Sequence, residues 1–161
     1  MALRHDRRAV EAIPLRLLII AVVAGLSVMP AAEALDSLKN KTFLQRCELL
    51  LDTAIRTSQR MAMEGFGAVR TISMDFRSGG GLRITSLTVG DEWGEPGMAS
   101  IILELSTGVR MVRSAKEPVI WMASETYEGL RVYSEFFDLR LTTGSHQSLH
   151  VVICEALPWT S

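Results

Sequence analysis

His146 and His150 stand four residues apart in GSHQSLH (144–150), a spacing at which two imidazoles share a metal ion when the backbone sets both on one face. No carboxylate or thiol stands beside them at ligand spacing, so the pair reads as a turn followed by solvent-facing strand positions. The remaining histidine, His5, is isolated near the N-terminus. Gly79, Gly80 and Gly81 precede no Lys-Ser/Thr and open no helical pattern, which makes them a turn and not a phosphate cradle. GDEWGEPG (90–97) gathers Asp91, Glu92 and Glu95 around Trp93. That composition suits a cation or an aromatic contact, although a solvated turn anchored by one tryptophan is the simpler reading. Serine, histidine and aspartate residues are scattered without a nucleophile elbow or a triad order. The chain therefore does not read as an enzyme, and no catalytic residue, cofactor or metal is assigned.

Cys47 and Cys154 lie far apart, with no CxxC or zinc-ligand spacing. Two readings stay open: a disulfide formed outside the cell, closing a very long loop, or two separate buried thiols. Asn40-Lys41-Thr42 matches the N-glycosylation acceptor pattern at Asn40, on a segment that reads as helical. Met61, Met63, Met74, Met98, Met111 and Met122 fall at core-compatible positions, where gap-filling explains them better than redox or copper chemistry.

These residues need a scaffold, and composition bounds it. A chain of 161 residues supports one modest domain plus an appendage. With a net charge of −1 and no long basic patch, nothing points to a nucleic-acid partner, and none is expected. Hydrophobic residues make up 48% of the chain, and the excess is concentrated at its start. No charge appears between Arg16 and Glu33, and Leu17, Leu18, Ile19, Ile20, Val22, Val23 and Leu26 form an aliphatic run. As a helix this interval covers about 24 Å, slightly short of the roughly 30 Å hydrocarbon core. The long Arg16 side chain closes the gap by reaching back to the headgroups. Arg4, Arg7 and Arg8 precede the run, which places the N-terminus in the cytoplasm and everything after Pro30 outside.

DRRAVEAIPLRLLIIAVV (6–23) resembles the amino termini of archaeal type IV pilin-like proteins with class III signal peptides. The resemblance implies a membrane-embedded prepilin peptidase cutting between Ala9 and Val10, with Arg7, Arg8 and Glu11 flanking the cut. It also implies a retained helix that sits in membrane lipid before assembly and packs with like subunits afterwards, in a cell-surface filament. This sequence departs from the bacterial pattern of Gly before the cut and Glu at the fifth mature position, since Ala9 and Pro14 stand there. The competing reading is a secretory signal cut after Ala32-Glu33-Ala34, which releases a soluble β-rich binding domain. A third keeps the helix as an uncleaved anchor.

Beyond Pro30, expected to bend or interrupt the helix, the pattern turns amphipathic. Leu35, Leu38, Phe43, Leu44, Cys47, Leu50, Leu51, Ala54, Ile55 and Met61 recur at spacings of three and four. Gly65 and Gly67 supply the stop. From Ala68 the period shifts toward two. VRTISMDF (69–76) and LRITSLTV (82–89) read as one hairpin, and ASIILELS (99–106) with VRMVRS (109–114) as a second. VIWMA (119–123), LRVYSEFFDLRL (130–141), with residues 133–137 open to either strand or irregular structure, and LHVVICEA (149–156) add further strands. The expected class is α+β, a long hydrophobic then amphipathic helix followed by an antiparallel sheet or small β-sandwich. The expected organisation is a charged leader (1–9), a membrane or filament-core helix (10–34), an amphipathic helix (35–65) and an extracellular β-rich domain (66–161).

Overall fold

The computed structural model describes residues 7–78 and 80–159, with side chains from residue 15 onward within that range. His5 thus lies outside the described residues. So do Gly79 and the side chains of Arg7, Arg8, Ala9, Val10 and Glu11. One helix, α1 (Arg7–Glu64), precedes eight strands: β1 (Val69–Asp75), β2 (Ile84–Val89), β3 (Ser100–Leu105), β4 (Arg110–Ser114), β5 (Trp121–Ala123), β6 (Leu130–Val132), β7 (Phe136–His146) and β8 (Leu149–Leu157). The α+β class expected from the period change is the one observed. Helical assignment passes through Pro30 without interruption, so of the two effects expected of that proline the break does not occur.

The chain divides into two compact units, Met1–Lys39 and Asn40–Ser161. In the first, Leu17, Leu18, Ile19, Ile20, Val22, Val23 and Leu26 are all exposed. Helix α1 is long and apolar enough in this part to cross a membrane. Ser27 returns its hydroxyl hydrogen to the Val23 carbonyl at 2.7 Å, so its only donor is satisfied within the helix.

In the second unit the helical stripe Phe43, Cys47, Leu51, Ala54, Ile55 and Met61 is buried. The intervals of three and four place these residues on one face. Arg113 of β4 reaches this segment, with Nη2 3.1 Å from Glu48 Oε1 and Nε 3.0 Å from Asp52 Oδ1. The helix stops at Gly65, whose φ of +96° places it in the region glycine enters without a Cβ penalty. Buried Thr143 then fixes the turn into β1: its hydroxyl donates to the Gly65 carbonyl at 2.7 Å and accepts from the Ala68 N–H at 2.9 Å.

The strands form two four-stranded sheets, ordered β1-β7-β8-β5 and β4-β3-β2-β6. All pairings are antiparallel except β5 on β8, which is parallel. Alternation gives β3 a buried row of Ile101, Leu103 and Leu105, and β7 a buried row of Phe137, Leu139 and Leu141. These rows and the helical stripe share one core.

The predicted β3–β4 hairpin forms, with Gly108 at φ +80° in its turn. The predicted β1–β2 hairpin does not. Strand β1 pairs with β7, and β2 lies in the other sheet between β3 and β6. A glycine-rich connection signals a change of direction, and here the chain uses it to pass from one sheet to the other. The stretch 130–141 is two strands, separated by residues 133–135. Met63 is exposed, unlike the buried Met61, Met74 and Met122, so its expected core position is corrected: it falls off the helical stripe.

Candidate functional site

Strand β8 is covered on both faces, because its alternate residues enter different clusters. Val152 and Cys154 join the main core, whereas Val151 packs with Trp121 and Ala123 in a smaller cluster. Trp121 is 3% exposed, and a buried indole needs an acceptor for its one donor. It finds the Asp91 carbonyl at 2.8 Å. The 90–97 segment is drawn onto β5 by the backbone as well: the Asp91 N–H donates to the Met122 carbonyl at 3.2 Å, and the Met122 N–H donates to the Met98 carbonyl at 2.8 Å. Gly90 makes this approach possible. It has φ +68°, and a Cβ there would lie 1.7 Å from the Met122 carbonyl oxygen.

Around Trp121 three other rings gather. Trp93 meets it edge-on, with centroids 5.5 Å apart and planes at 62°. Tyr127 lies 5.8 Å away, held in a turn in which its N–H donates to the Ser124 carbonyl at 2.9 Å and the Ser124 N–H donates to the Glu128 carbonyl at 2.7 Å. His146, at the end of β7, stacks on Tyr127 at 3.7 Å and approaches Trp121 edge-on at 5.8 Å. The four rings border a cavity of about 370 Å³ whose lining also includes Glu92 and Glu128. Both carboxylates are exposed, and among the described residues neither forms an ion pair.

The two histidines of GSHQSLH do not converge. Gln147 and Ser148 take φ of +49° and +70°, the backbone of a tight two-residue hairpin turn, with His146 opposite Leu149 and Ser145 opposite His150. That register sets His146 and His150 on opposite faces. His150 stacks on Phe66 at 4.2 Å, away from the aromatic cavity. Among the described residues no group of three or more His, Cys, Asp or Glu side chains is placed to hold a metal ion.

Cys47 and Cys154 are free thiols, so of the two readings the disulfide is not the one found. Burial in the core pushes Cys47 up to about 11 and Cys154 up to about 12, against an ordinary 9.0. A thiol that holds its proton is a poor nucleophile, which fits a packing role. Asn40 sits within α1, half-buried, and its Oδ1 is buried without a hydrogen-bond partner among the described residues. Elsewhere, Asp75 takes Arg77 in a two-point contact, Nε to Oδ1 at 3.0 Å and Nη2 to Oδ2 at 2.9 Å, and this hydrogen bonding lowers Asp75 to about 2. The Arg77 guanidinium lies 4.2 Å from the Phe136 ring, which in turn stacks on Trp159 at 4.5 Å.

Of the cavity's residues, the sequence singled out Glu92 and Trp93. Trp121, Tyr127 and Glu128 were not flagged, and His146 was read as a solvent-facing turn residue. Their convergence follows from β5 pairing with β8, a contact between segments some thirty residues apart. The local signal was a tryptophan inside an apolar strand, whose N–H had to find an acceptor off that strand.

Fold and site together define an α+β protein carrying one helix of membrane-spanning length and apolarity, a β-rich unit and an aromatic, acidic surface cavity. No protein-family model matches the chain, and neither does any curated protein or solved structure.

Proposed function

We propose that the protein is a membrane-anchored, pilin-like structural subunit of an archaeal cell-surface filament or related assembly. The observation that carries this reading is the uncharged aliphatic run of α1, exposed at Leu17, Leu18, Ile19, Ile20, Val22, Val23 and Leu26 and preceded by Arg7 and Arg8. Burying such side chains stabilises by about 1.5–3 kcal/mol each, so the run favours lipid strongly over water. The order of elements, apolar helix then β-rich unit, is compatible with a pilin-like architecture. In the proposed sequence of events the N-terminus faces the cytoplasm and prepilin peptidase cuts between Ala9 and Val10. The helix stays in lipid until it packs against like helices, where dispersion and apolar burial replace its contacts with acyl chains. The β-rich unit then faces outward.

A second reading draws support from the unit boundary. The compact unit begins at Asn40, and its buried apolar core starts at Phe43. A cut after Ala34 would therefore remove none of that core and would release a soluble β-rich binding domain. N-terminal sequencing of the mature chain separates the readings. A start at Val10 is the expected result. A start at Leu35 refutes the pilin-like proposal in favour of secretion, and an unprocessed Met1 or Ala2 refutes processing in favour of a plain anchor.

A further inference from the structure

We infer that the cavity between Trp93, Trp121, Tyr127 and His146 is a binding site for a small quaternary ammonium compound. The inference is independent of how the N-terminus is processed, because all of these residues belong to the Asn40–Ser161 unit.

The walls set the chemistry. Trp93 and Tyr127 stand 5.5 and 5.8 Å from Trp121, and His146 closes against Tyr127 at 3.7 Å. Ring faces carry negative quadrupole potential, and cations are held within about 6 Å of ring centroids. Glu92 and Glu128 add formal negative charge at the lining, without an ion-pair partner among the described residues and with no Lys or Arg in the lining. An anion is thereby disfavoured.

Among cations, the site discriminates further. A metal ion takes several oxygen or nitrogen ligands at short range, and no such group of side chains is assembled among the described residues. A primary ammonium presents three hydrogens and is strongly hydrated, so it needs oxygen acceptors all round. This lining supplies four rings and two carboxylates, and so no such shell of acceptors. A quaternary ammonium has no N–H to satisfy, and its methyl groups pack on ring faces. A neutral carbohydrate would leave the formal charges of Glu92 and Glu128 without a counter-charge, whereas a quaternary ammonium supplies one. The size of about 370 Å³ lies at the small end of ligand sites. The floor is also held in place before any ligand arrives, with Trp121 buried on β5 and residue 90 locked against Met122.

The test uses the full chain in a polyoxyethylene detergent, which carries neither a choline nor a sugar head. Choline chloride is titrated while the indole N–H resonances of the three tryptophans are followed by NMR. Sodium chloride at equal ionic strength is the baseline, and 3,3-dimethyl-1-butanol serves as the uncharged isostere. The expected result is saturable movement of Trp93 and Trp121 with choline, while Trp159, on the Phe136 stack, stays fixed. The isostere should bind about tenfold more weakly or worse. Trp93→Ala, at a half-exposed position, and Glu128→Gln, which keeps the fold's apolar contacts, should each weaken choline by about fivefold or more. Equal binding of the isostere, uniform movement of all three indoles, no saturable movement, or unchanged affinity in the folded variants would each overturn the inference. Movement with maltose and not with choline would also overturn it, and would reassign the site to carbohydrate.

Discussion

Replacing Gly90 with alanine tests the contact on which the aromatic site is built. A Cβ at this position would sit 1.7 Å from the Met122 carbonyl oxygen and 2.4 Å from its carbonyl carbon. Close carbon–oxygen contacts normally stop near roughly 3.3 Å, so the two backbones must part by on the order of 1.5 Å. Part of the cost is conformational, since a left-handed backbone is worse for alanine by about 1–2 kcal/mol. Forced separation of packed elements adds about 1–3 kcal/mol. Loss of the Asp91 N–H contact to the Met122 carbonyl adds about 1 kcal/mol. A total of about 3–6 kcal/mol follows, a large share of the stability of an ordinary domain. Gly108→Ala is the matched control: its φ is +80°, but nothing lies within 4 Å of the added Cβ, so it should cost only the conformational share. Urea unfolding of the full chain in non-ionic micelles, followed by tryptophan fluorescence, measures both. With slopes of about 1–3 kcal/mol per molar urea, the remaining difference of about 2–4 kcal/mol should put the Gly90→Ala midpoint roughly 0.7 M or more below that of Gly108→Ala. Costs equal to within about 0.5 kcal/mol would refute the reasoning, because the steric share would then be absent.

Three other outcomes are expected. The native Cys47 and Cys154 thiols keep their protons above 9.0, so the stability they contribute is complete below pH 9 and declines as pH rises toward about 11 and about 12. Each pH unit in that window costs about 1.4 kcal/mol per thiol, and the alkaline loss of stability should be visibly shallower in the Cys47→Ala, Cys154→Ala double variant. Trp121→Phe removes the indole donor to the Asp91 carbonyl and should cost about 1–3 kcal/mol, with loss of the near-ultraviolet circular dichroism from the Trp93–Trp121 pair. Arg113→Met breaks the pairs with Glu48 and Asp52, whose side chains are 51% and 42% exposed. Solvent screening limits that loss to about 0.5–1 kcal/mol, and a double-mutant cycle with Asp52→Asn should show coupling that weakens in high salt.

The legible parts of the molecule were those written in local periodicity. Intervals of three and four from Phe43 to Met61 place one stripe of α1 in the core, and alternation in ASIILELS places Ile101 and Leu103 there too. Thr107-Gly108 joins strands that are adjacent in sequence, so its hairpin needs no information from elsewhere. The connection after Phe76 carries equally strong turn chemistry, yet β1 finds its partner in β7, some sixty residues away. Turn residues specify that the chain changes direction; the partner is chosen by which apolar faces can be buried together.

The sequence alone determined an uncharged aliphatic helix, a switch to β structure after Gly67, and an acidic segment around Trp93. Each depends on residues close together along the chain. Tertiary structure alone decided that Cys47 and Cys154 remain separate thiols, that His146 and His150 part to opposite faces, and that Trp93 meets Trp121, Tyr127 and His146. The last of these rests on the pairing of β5 with β8 and on the close approach of Gly90 to Met122. Both are contacts between distant segments, set by the packing of the whole unit and carried by no local pattern.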